Sequence, residues 1–149
     1  MATFQEIVND FHEFMCDDPI ECTWNGVEGK DHLLPDPSFE KIKNNVVRAK
    51  ELITKIDTIN RKDVDFDQNL DLDLAKLALN HYIFLHTYKF NGRTQDQQTP
   101  IAGDRIGNAI NPLFVRDDRA PEVRLDLILS RLKSVRRYLR QVFENYDTP

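Results

Sequence analysis

The chain has 149 residues with 40% hydrophobic and 30% charged side chains and a net charge of −5, enough apolar material to bury a core. That balance excludes a disordered tail, and no apolar run reaches the ~18 residues that cross a bilayer. Charge is uneven: residues 1–36 hold nine acidic side chains against one lysine, which argues against a nucleic-acid partner.

At the N-terminus, Thr3 and Glu6 have the spacing of a capping box. Phe4, Ile7, Val8, Phe11, Phe14 and Met15 follow at helical spacing, and Asp17-Asp18-Pro19 ends this helix. Pro19 then opens a short helical turn carrying Ile20 and Cys22. Trp24-Asn25-Gly26 reads as a turn and 27–36 as a loop. Asp36 as cap and Pro37 at the first helical position open a long helix to about Asp57. Its seam is Phe39, Ile42, Val46, Ala49, Ile53 and Ile56, widened by Val47 and Leu52.

A polar connector over 60–65 precedes a third helix, from Phe66 or Asp67 to Lys89. Leu70-Asp71-Leu72-Asp73-Leu74 alternates as a strand does, but the run Ala75 to Leu79 is strongly helix-forming and decides for helix. Asp67, Asp71 and Asp73 suit the positive end of a helix dipole. The second half, HYIFLHTYKF, is apolar or aromatic on nearly every side, so it is expected to be central and covered from several directions. Asn91-Gly92 ends it. Residues 91–120 are expected to form an extended loop with one short helix around Gly103–Ile110, punctuated by Asn111-Pro112. Pro121 opens the last helix, which reaches about Asn145 with a seam of Leu125, Ile128, Leu132, Val135, Leu139, Val142 and Tyr146. The expected fold is all-α: a single domain over 1–149, an irregular helical bundle of about four main helices with one long loop. A loop of that length points to something outside the chain that packs on it.

The chemistry-bearing residues mostly have plain explanations. His12-Glu13 opens an HExxH pattern, but Cys16 stands where the second histidine belongs and no third ligand is near in sequence. Cys16 and Cys22 read as reduced thiols without a CxxC or Cys/His cluster. His81 and His86 do not share a helix face well. Gly103-Asp104-Arg105-Ile106-Gly107 matches no phosphate loop and reads as turn geometry. Asp65, Asp67, Asp71 and Asp73 lack the turn glycine and terminal glutamate of a calcium loop. Arg131, Lys133, Arg136, Arg137 and Arg140 read as a solvated helix face. No serine stands in a nucleophile elbow. Trp24, Asn25 and Gly26 in the turn and His32 in the loop are the candidates for a cleft or loop site, because loops carry binding residues more often than cores do.

The segment from the Asp-Pro break through Thr23-Trp24-Asn25-Gly26 and Leu33-Leu34-Pro35-Asp36 resembles the start of the bacterial domain-of-unknown-function 885 family. Leu70 to Leu74, Asn111-Pro112-Leu113, Arg131-Leu132 and Tyr138-Leu139 extend the resemblance, while Ser134-Val135 replaces a proline usual in that family. The resemblance implies a non-catalytic N-terminal helical domain of a longer, metal-dependent hydrolase or peptidase-like protein, helping to form or cover its substrate cleft. It implies zinc only in a zincin-like half bearing an HExxPGH motif, and no cofactor held by this chain. The implied partners are the missing C-terminal part of the same protein or a second copy. Independently of the resemblance, the acidic N-terminal residues, without a basic leader or a small-residue cleavage site, and the lack of a membrane-length apolar run lead to the expectation of no nucleic-acid partner, no membrane and a cytoplasmic location. The alternative is a stand-alone helical interaction module pairing through the 39–56 or 125–146 seams.

Overall fold

A computed structural model describes residues 2–97, 102–115 and 117–146. Among them are six α-helices and no strand: α1 (Phe4–Met15), α2 (Pro19–Trp24), α3 (Phe39–Asp57), α4 (Phe66–Thr87), α5 (Ala102–Val115) and α6 (Pro121–Asn145). The all-α class and the helical packing expected from the sequence are present. Among the described residues, no helix is long and apolar enough to cross a membrane. The chain forms two compact units, each built from two separated stretches: Met1–Phe14 with Glu40–Asp96, and Met15–Phe39 with Gln97–Pro149.

In the first unit, α1 opens on its capping box: the Glu6 amide donates to Thr3 Oγ1 at 3.3 Å and the Thr3 amide donates to Glu6 Oε2 at 2.7 Å. Ile7 and Phe14 of α1 are buried, as are Val46, Ala49, Leu52 and Ile56 of α3 and Leu72, Ala75 and Leu79 of α4. The Phe14 ring meets Tyr82 edge-on at 5.2 Å, joining α1 to α4, and the Arg48 guanidinium of α3 lies 5.8 Å above the same Phe14 ring. Lys55 pairs with Asp10 and Lys76 with Asp57, each at 2.5 Å. Both ion pairs are largely solvated, so apolar burial, at about 1.5–3 kcal/mol per large side chain, outweighs them. The helix expected from Pro37 starts two residues later, at Phe39, because the Asp36 carboxylate accepts from the Ser38 amide in a local turn. Phe39 is exposed instead of heading the seam.

α4 begins on a full capping box between Asp65 and Gln68. Its second half is not covered from several directions, as the sequence suggested. Leu72, Ala75 and Leu79 face inward, whereas Leu70, Leu74, Leu77, Phe84 and Tyr88 are each about half exposed or more. Each residue advances about 100° around a helix, so residues two apart lie on opposite sides. The strand-like Leu70-Leu72-Leu74 alternation is therefore the signature of a helix with two opposed apolar faces. Beyond it, Asn91 and Gly92 both have positive φ, 51° and 81°, closing a two-residue turn in which Phe90 and Arg93 exchange backbone hydrogen bonds.

In the second unit, Ile20, Leu34, Ala109, Tyr138 and Val142 form the core, with Trp24, Ile106, Val135, Leu139 and Tyr146 packed against it. Within the segment 91–120, the short helix expected around 103–110 is α5, longer than expected at 14 residues, and it packs on both α2 and α6. Gly103 to Gly107 lie inside this helix and do not make a turn, and Pro112 does not punctuate it but sits within it. A proline there withholds its amide from the carbonyl four residues back, Asn108. Trp24 Nε1 donates to that carbonyl at 3.1 Å. On α6 the buried line is Arg131, Tyr138, Val142 and Asn145, so the helix is rotated from the expected seam and leaves Leu125 and Leu132 outside. Asn145 Nδ2 donates to the Pro37 carbonyl, fastening the far end of the loop.

Candidate functional site: a buried arginine network

Asp18 caps α2, accepting from the Ile20 amide at 2.8 Å, and Pro19 stands at the first helical position. This capped turn directs Thr23 and the Pro19 carbonyl toward α6. Arg131, fully buried, donates from Nη2 to Thr23 Oγ1 at 2.6 Å and to the Pro19 carbonyl at 3.3 Å, and from Nη1 to the Ala109 carbonyl. Asp31 Oδ1 lies 2.8 Å from Thr23 Oγ1, and Asp31 Oδ2 accepts from Arg119 Nη1 at 3.0 Å. Arg119 in turn donates from Nε to both Asp117 oxygens at 2.8 and 2.9 Å. Nearby, Arg105 pairs with the other oxygen of Asp18.

Burial pulls the Arg131 pKa below the ordinary arginine value, against the pull of Asp31 and Asp18. Hydrogen bonds to Asp117 first, and then Asp31, hold Arg119 above its ordinary value, and those same bonds hold the Asp117 carboxyl below its own. At Arg105, burial opposes the charge, but Asp18 and Tyr138 more than offset it. Carbonyls, a hydroxyl and carboxylates face the cationic forks, with Arg131 Nε the one buried donor atom of the network without a partner. These groups occupy one another as donors and acceptors. The chemistry of the arrangement is that of a clamp holding the 25–38 segment and α2 on α5 and α6.

Sequence reasoning placed Arg131 on a solvated face, which the structure corrects: Lys133, Arg136, Arg137 and Arg140 are exposed, but Arg131 is in the core. A signal existed. Arg131, Val135, Tyr138, Val142 and Asn145 have the same 3–4 spacing as the leucine-led line, and only the preference for leucine hid it. Trp24, Asn25 and Gly26 come together at the end of α2, where Asn25 Nδ2 donates to the Glu21 carbonyl at 2.8 Å and Gly26 has a φ of 69°. His32 is exposed, while the adjoining Asp31 carries the bonds of that loop.

Cys16 and Cys22 are not joined in a disulfide, and the Cys22 Sγ donates to the Cys16 carbonyl at 3.1 Å. His12 and Glu13 are exposed on α1, and among the described residues no three histidine, cysteine, aspartate or glutamate side chains converge as a metal-binding group. In the first unit an open groove of about 440 Å³ runs between α1 and α3, lined by Asp10, Glu13, Arg48, Glu51, Leu52 and Lys55. Its acids and cations are intermixed, and Lys55 bridges it to Asp10. Compared with protein-family models, curated proteins and solved structures, the chain has no match.

Proposed function

We propose that this chain is a non-catalytic helical domain of a larger, metal-dependent hydrolase-like protein, where it helps to form or cover one side of the substrate cleft. The family resemblance supplies the enzyme class, and the outer face of α6 is the observation that carries the packing role. Leu125, Leu129, Leu132 and Phe143 are between 41% and 62% exposed and lie along one stripe of the helix. Phe114 and Val115 at the end of α5 are 72% exposed. Single exposed leucines are ordinary; a stripe that repeats along a helix asks for cover. Lys133, Arg136, Arg137 and Arg140 are exposed on the same helix, so the covering surface is apolar with acidic margins.

An antibody raised against this chain measures the native polypeptide in source cells. A band several times larger than 17.5 kDa supports the reading, and the metal ligands are then sought in the remainder. A band at 17.5 kDa overturns it in favour of a stand-alone interaction module.

A further inference from the structure

The outward stripe of α4 belongs to the first unit and is independent of α6. Leu70, Leu74, Leu77, His81 and Phe84 are all exposed and follow a 4-3-4-3 spacing, with Phe66 and Tyr88 continuing it at either end. At about 100° per residue, all seven fall within about 40° of one line. Tyr88 stacks on Phe84 at 4.8 Å, so the C-terminal end of the stripe is an ordered aromatic pair. The helix has 22 residues, which makes the stripe about 33 Å long.

Two features identify what covers it. The first is charge. Asp67, Asp71 and Asp73 all lie in the N-terminal half of α4, whereas residues 78–90 contain no acid and include His81, His86 and Lys89. A parallel copy would set the aspartates against one another, while an antiparallel copy sets them against a half that carries no acid. The second is self-complementarity. With Leu77 at the two-fold axis, Leu70 meets Phe84 of the other copy, and Phe66 meets Tyr88. Every layer then joins apolar to apolar, except where His81 faces Leu74. Asp73 already pairs with Arg61 at 2.9 Å yet stays largely exposed, which leaves its outer oxygen available at the edge.

We propose that a second copy of this chain docks on the α4 stripe, antiparallel, in a two-fold symmetric helix pair centred on Leu77. The interface is isologous, so it closes at two chains. The pairing stands or falls separately from the hydrolase-like reading.

Sedimentation equilibrium on the purified full chain gives its mass, expected at twice 17.5 kDa and falling to 17.5 kDa for Leu77→Lys. Leu77 is 66% exposed, so this variant keeps its helical circular-dichroism signal. Leu129→Lys on α6 stays dimeric. Direction is read by oxidation of mixed cysteine variants: Leu70→Cys with Phe84→Cys forms the mixed cross-link, and Leu70→Cys alone does not. A monomeric parent chain, a Leu77→Lys variant that remains dimeric, or efficient self-cross-linking of Leu70→Cys overturns the proposal.

Discussion

Trp24 and Pro112 act on the same atom: the indole Nε1 donates at 3.1 Å to the Asn108 carbonyl, the acceptor that Pro112, four residues on, has no amide to serve. A defect in α5 is thereby repaired from α2. This gives the Trp-Asn-Gly turn a structural purpose, because the indole docks on the core while its N–H closes the gap. Trp24→Phe is expected to lower unfolding stability by about 1 kcal/mol. Pro112→Ala restores an amide at that point, and in its background the Trp24→Phe loss shrinks. A double-mutant cycle by urea denaturation measures the coupling, and strictly additive losses would refute the repair.

Arg131→Met keeps the bulk of the side chain but leaves the Pro19 and Ala109 carbonyls and Thr23 without its charged donors. Stability is expected to fall by about 3 kcal/mol, which is large for one substitution. The solvated neighbour Arg137→Met, on the same helix, changes it by less than about 0.5 kcal/mol. Equal losses in the two variants would return Arg131 to the surface.

Acid exposes a second dependence. Hydrogen bonds with Thr3 hold Glu6 below its ordinary value, and hydrogen bonds from Arg119 do the same for Asp117. A carboxyl depressed in the folded state contributes its full stability above the unfolded value and loses it as pH falls through the folded one. Stability is therefore expected to be level in these two groups above about pH 5 and to decline below about pH 4. Asp117→Asn lowers the plateau and flattens the decline, which urea midpoints across that range measure.

Burial, and then the neighbouring Cys16, push the Cys22 thiol up to about 11, so it stays protonated near neutrality. Cys16 is half-buried, whereas Cys22 is fully enclosed. Iodoacetamide at pH 7.5 (about one unit below a free thiol's value) is expected to label Cys16 first and Cys22 only after unfolding. Peptide mass spectrometry reads the order, and equal labelling rates in the native protein would contradict it.

Helix positions were legible where a local stop or start signal acted alone. The Thr3–Glu6 box, Asp18-Pro19 and Pro121 each mark a helix start found in the structure. Pattern failed where tertiary contacts overrode local rules. Pro112 and two glycines argued against α5, but Trp24 satisfies the Asn108 carbonyl that Pro112 leaves open, and Arg131 ties the Ala109 carbonyl to α6. The Arg131 clamp was hidden for a related reason: its partners Pro19 and Thr23 are remote in sequence, and a buried cation beside exposed leucines inverts the usual burial preference. The Leu-Asp alternation in α4 was ambiguous because steps of two residues mean one face in a strand and two faces in a helix.

The Thr23–Arg131 bond also sets a clock on biosynthesis. Its two ends are 108 residues apart, and the Asp31–Arg119 pair spans 88. At ribosomal speeds of roughly 5–20 residues per second, α2 is synthesised roughly 5–20 s before the arginine that anchors it. During that interval Ile20 and Leu34 have no completed core to enter. The nascent chain therefore spends its most adhesive moment with its N-terminal quarter already outside, guarded by the run of negative charge between Asp17 and Asp36.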